Sequence, residues 1–189
     1  MIDYPREKTC AFTGHRSLSD NVVRALSPLL REKIIELSSQ GIRRFIAGGA
    51  IGFDMLAAIT VYNLKPKLPH DTRLTLALPC ERHYAKWNKE DAQTFARLLA
   101  HADEVIYVGR EYTPKTMKER NAFMIDHSAV CVAYLLPDRD RTGTAQTVRL
   151  ATSGGLRIIN LATDEDSSPE AIPTLEDVTV ADGENLSFL

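Results

Sequence analysis

A turn of small residues between a predicted strand and a predicted helix is the segment best suited to hold a ligand. The segment FIAGGAIGFDMLAAITVYN ends its apolar strand with Gly48 and Gly49 and reaches the helix through Ala50 and Gly52. Glycines leave backbone N–H groups uncovered, and the positive end of the helix dipole lies beside them. Such a turn favours a phosphate or another anion. Its spacing is neither that of a Walker loop nor that of the G-x-G-x-x-G motif.

Further candidate ligand-binding residues follow the other predicted strands. The motif TGHR supplies Gly14, His15 and Arg16 after the first strand, and its arginine offers a planar pair of donors to an anion. Pro79 ends the third strand, and Tyr112 lies on a loop from which it could cover a ligand. The alternative interpretation of TGHR is a structural turn with a solvated arginine.

Two predicted helices add polar groups near their starts. The fourth carries Arg120 beside Asn121, an unusual pair on a helix that otherwise packs against a sheet. The fifth begins at Thr142, Gly143 and Thr144, a second small-residue turn with free N–H groups and two hydroxyls. We therefore predict that the arginines neutralise an anion and that this second turn binds another phosphate or a ribose. A solvated basic face is the alternative for Arg120.

Three residues near these turns also have structural interpretations. Asp54 in the first helical turn would cap free N–H groups, with a hydrogen bond to a ligand hydroxyl as the alternative. Trp87, the only tryptophan, could stack on a base, but packing beneath a loop is the favoured interpretation. His83 has no plausible partner nearby in the sequence for a catalytic triad.

Near-continuous apolar runs alternate with helix-length segments, which is typical of parallel strands covered on both faces. The predicted strands are Thr9–Thr13, Arg44–Ala47, Leu74–Leu78, Glu104–Val108, Ala129–Leu136 and Arg157–Leu161. In the first of the five intervening helices, Pro28 predicts a start or a kink. The order predicts an α/β fold with an open, doubly wound, mostly parallel sheet of six or seven strands and helices on both faces. Such sheets bind ligands at the carboxyl ends of their strands, where the candidate residues fall.

Composition indicates one globular domain over residues 1–161 and an acidic, partly disordered tail over residues 162–189. The tail holds eight of the 25 acidic residues and no Lys or Arg, which leaves 17 acidic against 23 basic residues before it. This net charge of +6 suits a small anionic ligand. It is less than the dense basic surface of a dedicated nucleic-acid binder, so we do not expect nucleic acid as a partner.

The apolar runs are too short to span a membrane, and the first residues lack the apolar core of a secretion signal. Three widely spaced cysteines, Cys10, Cys80 and Cys131, predict buried thiols and no metal site. We therefore expect a cytoplasmic protein without a membrane partner.

The motifs TGHR, GGAIGFDMLAA, ERNAFMID and TGTAQT, in this order, resemble the SLOG superfamily of SMF/DprA and lonely-guy proteins. They are most similar to its YpsA-like branch of unknown function, over about Cys10–Leu161. The resemblance implies a Rossmann-like domain whose glycine turns hold a nucleotide or a ligand derived from one, such as NAD or ADP-ribose. By analogy with superfamily members it also implies a homo-oligomer.

The resemblance leaves three functions to weigh. A sensor or regulatory module that binds a nucleotide-derived anion is the leading interpretation. Lonely-guy enzymes hydrolyse the N-glycosidic bond of nucleoside monophosphates, and Arg120 matches their arginine, but Thr147 stands where their glutamate would be. Threonine cannot stabilise an oxocarbenium-like state or activate water well, so binding is better supported than catalysis. DprA-like nucleic-acid binding is the third interpretation.

Overall fold

The apolar runs form six strands, and the segments between them form five helices, in the computed structural model, which describes residues 5–162. The strands are β1 (Thr9–Gly14), β2 (Arg44–Ala47), β3 (Arg73–Leu78), β4 (Glu104–Tyr107), β5 (Val130–Tyr134) and β6 (Arg157–Asn160). The helices are α1 (Asp20–Ser39), α2 (Phe53–Leu64), α3 (Lys89–His101), α4 (Pro114–Asp126) and α5 (Gly143–Ser153).

All six strands are parallel and lie in the order β4-β3-β2-β1-β5-β6. The chain starts at β1, adds three strands in one direction, and then crosses through α4 to place β5 on the other side of β1. This is the doubly wound arrangement that the alternation of strands and helices predicts, and the prediction is confirmed with six strands. The reversal of strand order beside β1 marks the edge at which such sheets bind ligands.

The two faces of the sheet bury different sets of side chains because successive residues of a strand point to opposite faces. Phe12 and Phe45 belong to the larger core, which includes buried side chains of α1, α2 and α3. Ala11, Ile46 and Cys131 belong to a smaller core with α4 and α5. On this second face α4 packs against β3 and α5.

The first helix passes through Pro28 without interruption, so the prediction that it starts there is wrong. It begins at Asp20, where Ser19 caps it by accepting a hydrogen bond from the Val22 N–H at 3.4 Å. Pro28 is exposed, and the buried residues before and after it, Leu26 and Leu30, lie on one continuous apolar face. Burial of that face outweighs the loss of one backbone hydrogen bond at the proline.

Other sequence-based expectations have mixed outcomes. All three cysteines are buried free thiols, as predicted. No helix among residues 5–162 combines the length and apolar character needed to cross a bilayer. The acidic tail lies outside the described residues except for Ala162.

Candidate functional site

A cavity of about 260 Å³ opens at the carboxyl ends of β1 to β4. The loops after these four strands and the first two turns of α4 line it. The lining residues are Arg16, Ser17, Gly48, Ala50, Ile51, Pro79, His83, Trp87, Tyr112, Met117 and Arg120. The cavity thus brings together six of the residues that the sequence analysis selected, from five separate segments of the chain.

A buried ion pair between Arg120 and Asp54 lies at this cavity. One terminal nitrogen of the Arg120 guanidinium is 3.3 Å from Oδ2 of Asp54, and both residues are buried. The Nε of Arg120 is also buried and has no hydrogen-bond partner among residues 5–162. Arg120 therefore keeps unused donor capacity at a position that lines the cavity.

Burial dominates the protonation behaviour of this pair. It raises the pKa of Asp54, while the charges of Arg120 and Arg16 and a hydrogen bond from the Ala50 N–H act in the opposite direction. Burial also lowers the pKa of Arg120, which Asp54 counteracts. Arginine retains its proton in proteins, so Arg120 carries a positive charge that one carboxylate offsets.

Gly48 provides the room in which this arginine lies against the backbone. A Cβ atom at residue 48 would overlap the guanidinium of Arg120 and lie 2.6 Å from Oδ2 of Asp54. No residue larger than glycine fits there without moving the ion pair. The first glycine of the turn is thus explained by the close approach of a charged side chain from α4.

The other glycines of the strand-end turns make close contacts with protein atoms. A Cβ at Gly14 would lie 2.5 Å from atoms of the Phe53 ring. At Gly49, which has a φ of +63°, it would meet buried side chains of β3 and α3. At Gly52, which has a φ of +87°, it would meet the carbonyls of the TGHR turn. These three glycines therefore have packing and conformational reasons that the sequence pattern did not reveal.

Arg16 and Tyr112 lie at the rim of the cavity. Arg16 is exposed, and its positive charge acts on Asp54, His83 and Arg120 inside. Tyr112 is 52% exposed on the loop between β4 and α4. The entrance therefore has the exposed cation of Arg16 and the aromatic ring of Tyr112, while Arg120 provides a buried cation.

His15 is not among the residues that line the cavity. Its Nε2 accepts a hydrogen bond from the Leu136 N–H at 3.0 Å, and its ring contacts Tyr134 edge-on. Burial lowers the pKa of His15, so the neutral ring that this hydrogen bond requires is favoured. His15 connects the turn after β1 to the end of β5.

The start of α5 also lies outside the cavity lining. The hydroxyl of Thr142 caps the helix by accepting from the Ala145 N–H at 3.2 Å, and Thr144 is buried. Asn121 donates to the hydroxyl of Thr147 at 2.9 Å, which in turn donates to the Gly143 carbonyl at 2.9 Å. Thr147, at the position of the lonely-guy glutamate, therefore connects α4 to α5.

Five lining residues were absent from the sequence-based site: Ser17, Ile51, His83, Trp87 and Met117. Trp87 packs against Phe95 with ring centroids 5.4 Å apart, as its structural interpretation predicts, and lines the cavity as well. Both His83 and Trp87 follow a strand end, and that position was the signal that identified the other candidates.

Comparison with protein families gives this arrangement a place among known proteins. A family model described as YpsA, YspA SLOG family, matches residues 10–153. The chain belongs to the YpsA family of SLOG proteins. The resemblance inferred from the four motifs is thereby confirmed.

Relatives of this family are found in several bacteria. The prophage-derived protein YoqJ of Bacillus subtilis is 34% identical over 120 residues, covering 57% of this chain and 68% of its own. A UPF0398 protein of Staphylococcus haemolyticus is 23% identical over 146 residues, covering 72% and 76% of the two chains. A second UPF0398 protein, from Staphylococcus aureus strain JH9, is 26% identical over 130 residues, covering 64% and 69%.

A solved structure shares the fold of the family domain. DNA processing protein A from Helicobacter pylori, described for its single-stranded DNA binding mode, aligns with a TM-score of 0.59 and 18% identity. The alignment covers 82% of this chain and 65% of that one, so this chain spans less than two thirds of its length. At this level of identity the likeness is one of fold.

Proposed function

We propose that this protein binds a nucleotide-derived anion in the cavity at the ends of β1 to β4 and acts as a sensor or regulatory module. The observation that carries the proposal is the buried guanidinium of Arg120, whose Nε has no partner among the described residues and which lines the cavity. One carboxylate offsets the charge of this guanidinium, and an anion bound in the cavity would offset it further.

The lining residues divide into two chemical regions suited to the two ends of a nucleotide. Arg120 and Arg16 provide positive charge for a phosphate, and the Gly48 backbone lines the cavity beside Arg120. Trp87 and Tyr112 provide aromatic surface on which a base can stack. An NAD- or ADP-ribose-derived ligand would present the same two features.

The arrangement supports binding better than N-glycosidic hydrolysis. Hydrolysis needs a carboxylate beside the sugar or a base that activates water. Thr147 is hydrogen-bonded between two helices, and Asp54 is buried beside Arg120. Asp54 also does not line the cavity, so the lining offers His83 as a base but no carboxylate for this step.

Nucleic-acid binding is the second candidate function. The fold neighbour from Helicobacter pylori is described for single-stranded DNA binding, which does not support our expectation that nucleic acid is not a partner. The cavity features that suit one nucleotide, a cationic surface with aromatic rings, also suit a single nucleotide within a strand.

A thermal-shift screen with AMP, ADP, ATP, NAD, ADP-ribose and cyclic dinucleotides tests the proposed function. A ligand at 100 times its dissociation constant adds about 2.7 kcal/mol to the free energy of unfolding. Chromatography of each stabilising ligand after incubation shows whether free base is released. Stabilisation without base release supports the binding module, whereas base release supports the hydrolase.

Two matched arginine variants identify the site of binding. Arg16→Gln removes the rim cation and should weaken AMP binding by about tenfold to a hundredfold, because a charge-assisted contact is lost. Arg24→Gln removes the same charge from an exposed position on α1 and should leave affinity unchanged. An equal loss of AMP affinity in both variants, or no loss in either variant, would argue against binding in this cavity.

A further inference from the structure

We infer that anion binding in this cavity is coupled to the uptake of a proton by His83, which makes the affinity rise as the pH falls. This inference rests on the proposed function and concerns the regulation of the same site. His83 lines the cavity together with Arg16 and Arg120, and it was not part of the site that the sequence predicts.

The ring of His83 lies between two backbone carbonyls. Its Nδ1 is 3.3 Å from the Cys80 oxygen, and its Nε2 is 3.3 Å from the Gly49 oxygen. A neutral imidazole has one N–H, so it donates to one carbonyl and directs a lone pair at the other. An imidazolium donates to both carbonyls. The hydrogen-bonding surroundings of His83 therefore match the protonated ring.

The remaining surroundings oppose protonation while the cavity holds no anion. Burial is the main cause that lowers the pKa of His83, and the charges of Arg120 and Arg16 lower it further, while the two carbonyls act in the opposite direction. The helix α3 contributes the uncharged ring of Phe95, 4.9 Å away between centroids. From its own loop, the ring contacts are Tyr84 and Trp87.

A bound anion changes this balance in a defined direction. Negative charge beside Arg16 and Arg120 offsets the two repulsive contributions to His83, and the carbonyls then favour the imidazolium. Because the complex binds a proton that the free protein lacks, affinity rises as pH falls between the two pKa values of His83. A shift of one pKa unit on binding changes the affinity by at most about tenfold over the whole pH range. A doubly charged phosphate gains more from this proton than a singly charged group does.

Calorimetric titration of the full chain with AMP near pH 6.5 tests this coupling. Titrations in buffers with different ionisation enthalpies give the number of protons taken up on binding. The wild type should take up more protons than the His83→Gln variant, by at most about half a proton for a pKa shift of one unit, since protonation of the AMP phosphate is common to both. The control His127→Gln, at the exposed end of α4, should behave as the wild type does.

A second measurement uses the wild-type protein alone. The NMR titration of the His83 ring should show a pKa that rises by about one pH unit when AMP saturates the cavity. Equal proton uptake in wild type and His83→Gln, or an unchanged His83 titration with AMP bound, would overturn the coupling and leave the proposed function intact. Absence of AMP binding to the wild type at any pH would instead overturn both for this ligand.

Discussion

At the scale of single residues, the two partners of the buried ion pair differ in whether each can become neutral when the other is removed. Asp54 without its partner can take up a proton, and burial already raises its pKa. Arg120 without its partner keeps its charge. Loss of the carboxylate should therefore leave a buried charge, whereas loss of the guanidinium should leave a group that becomes neutral.

We expect Asp54→Asn to lower the free energy of unfolding by about 3–5 kcal/mol at neutral pH.

Arg120→Met should lower the free energy of unfolding by less, and the size of this loss should depend on pH. In folded Arg120→Met, Asp54 holds a proton, whereas the unfolded chain releases this proton above about pH 4. The stability of the variant therefore falls as pH rises through the pKa of Asp54 in the folded state. Urea unfolding at pH 5 and pH 8 measures this. Stability of Arg120→Met that increases with pH would contradict the account.

Gly48→Ala tests the close approach of Arg120 to the backbone. The added Cβ overlaps the guanidinium, so we expect a loss of stability of about 2 kcal/mol or more and a loss of AMP binding. Thermal unfolding and calorimetry measure the two effects.

The matched control is Gly143→Ala, at the start of α5, where a Cβ meets no atom within 4 Å. Its stability should match or slightly exceed that of the wild type, because alanine is the better helix former. A Gly48→Ala protein as stable as this control would show that the ion pair can move aside at little cost.

At the scale of secondary-structure elements, the hydrogen bond between Asn121 and Thr147 joins the two helices of the smaller core. Thr147→Val keeps the shape of the side chain but leaves the Asn121 amide unpaired, so we expect a loss of about 1–3 kcal/mol in urea unfolding. Thr147→Ser, which keeps the hydroxyl, should lose less. AMP affinity should be unchanged in both, since Thr147 does not line the cavity. A large affinity loss in Thr147→Val alone would place α5 in the site.

The sequence predicts elements better than it predicts which side chains meet. Apolar runs and helix-length segments give the six strands and five helices because burial on both faces of a parallel sheet imposes that pattern. The pairing of Asp54 with Arg120 joins residues 66 positions apart on α2 and α4, and no local spacing encodes it. Likewise, the glycines signal close approach, but only the packed structure shows that protein atoms occupy the spaces at Gly14, Gly48, Gly49 and Gly52.

At the scale of the whole molecule, the number of phosphates that the basic residues contact distinguishes nucleotide binding from nucleic-acid binding. The body before residue 162 has 23 basic and 17 acidic residues. A protein that binds one nucleotide contacts one or two phosphates, whereas a strand binder contacts several and releases their counterions.

We expect any binding of single-stranded DNA to be weak and to be displaced by AMP, because both would occupy the cavity. Fluorescence anisotropy with a labelled oligonucleotide at increasing salt measures this. A steep salt dependence, together with no competition by AMP, would favour the nucleic-acid function on a different surface.

The homo-oligomer expected by analogy stays a prediction, which analytical ultracentrifugation of the full chain can test.

The central claim is that an anionic ligand contacts the guanidinium of Arg120, and NMR of its Nε–H resonance tests it most directly. That nitrogen is buried and has no partner within residues 5–162, so its proton should be shielded from exchange with water. On titration with AMP we predict a saturable downfield shift of this resonance, with the same dissociation constant that calorimetry gives. Saturable AMP binding that leaves the Arg120 Nε–H resonance unmoved would contradict the account.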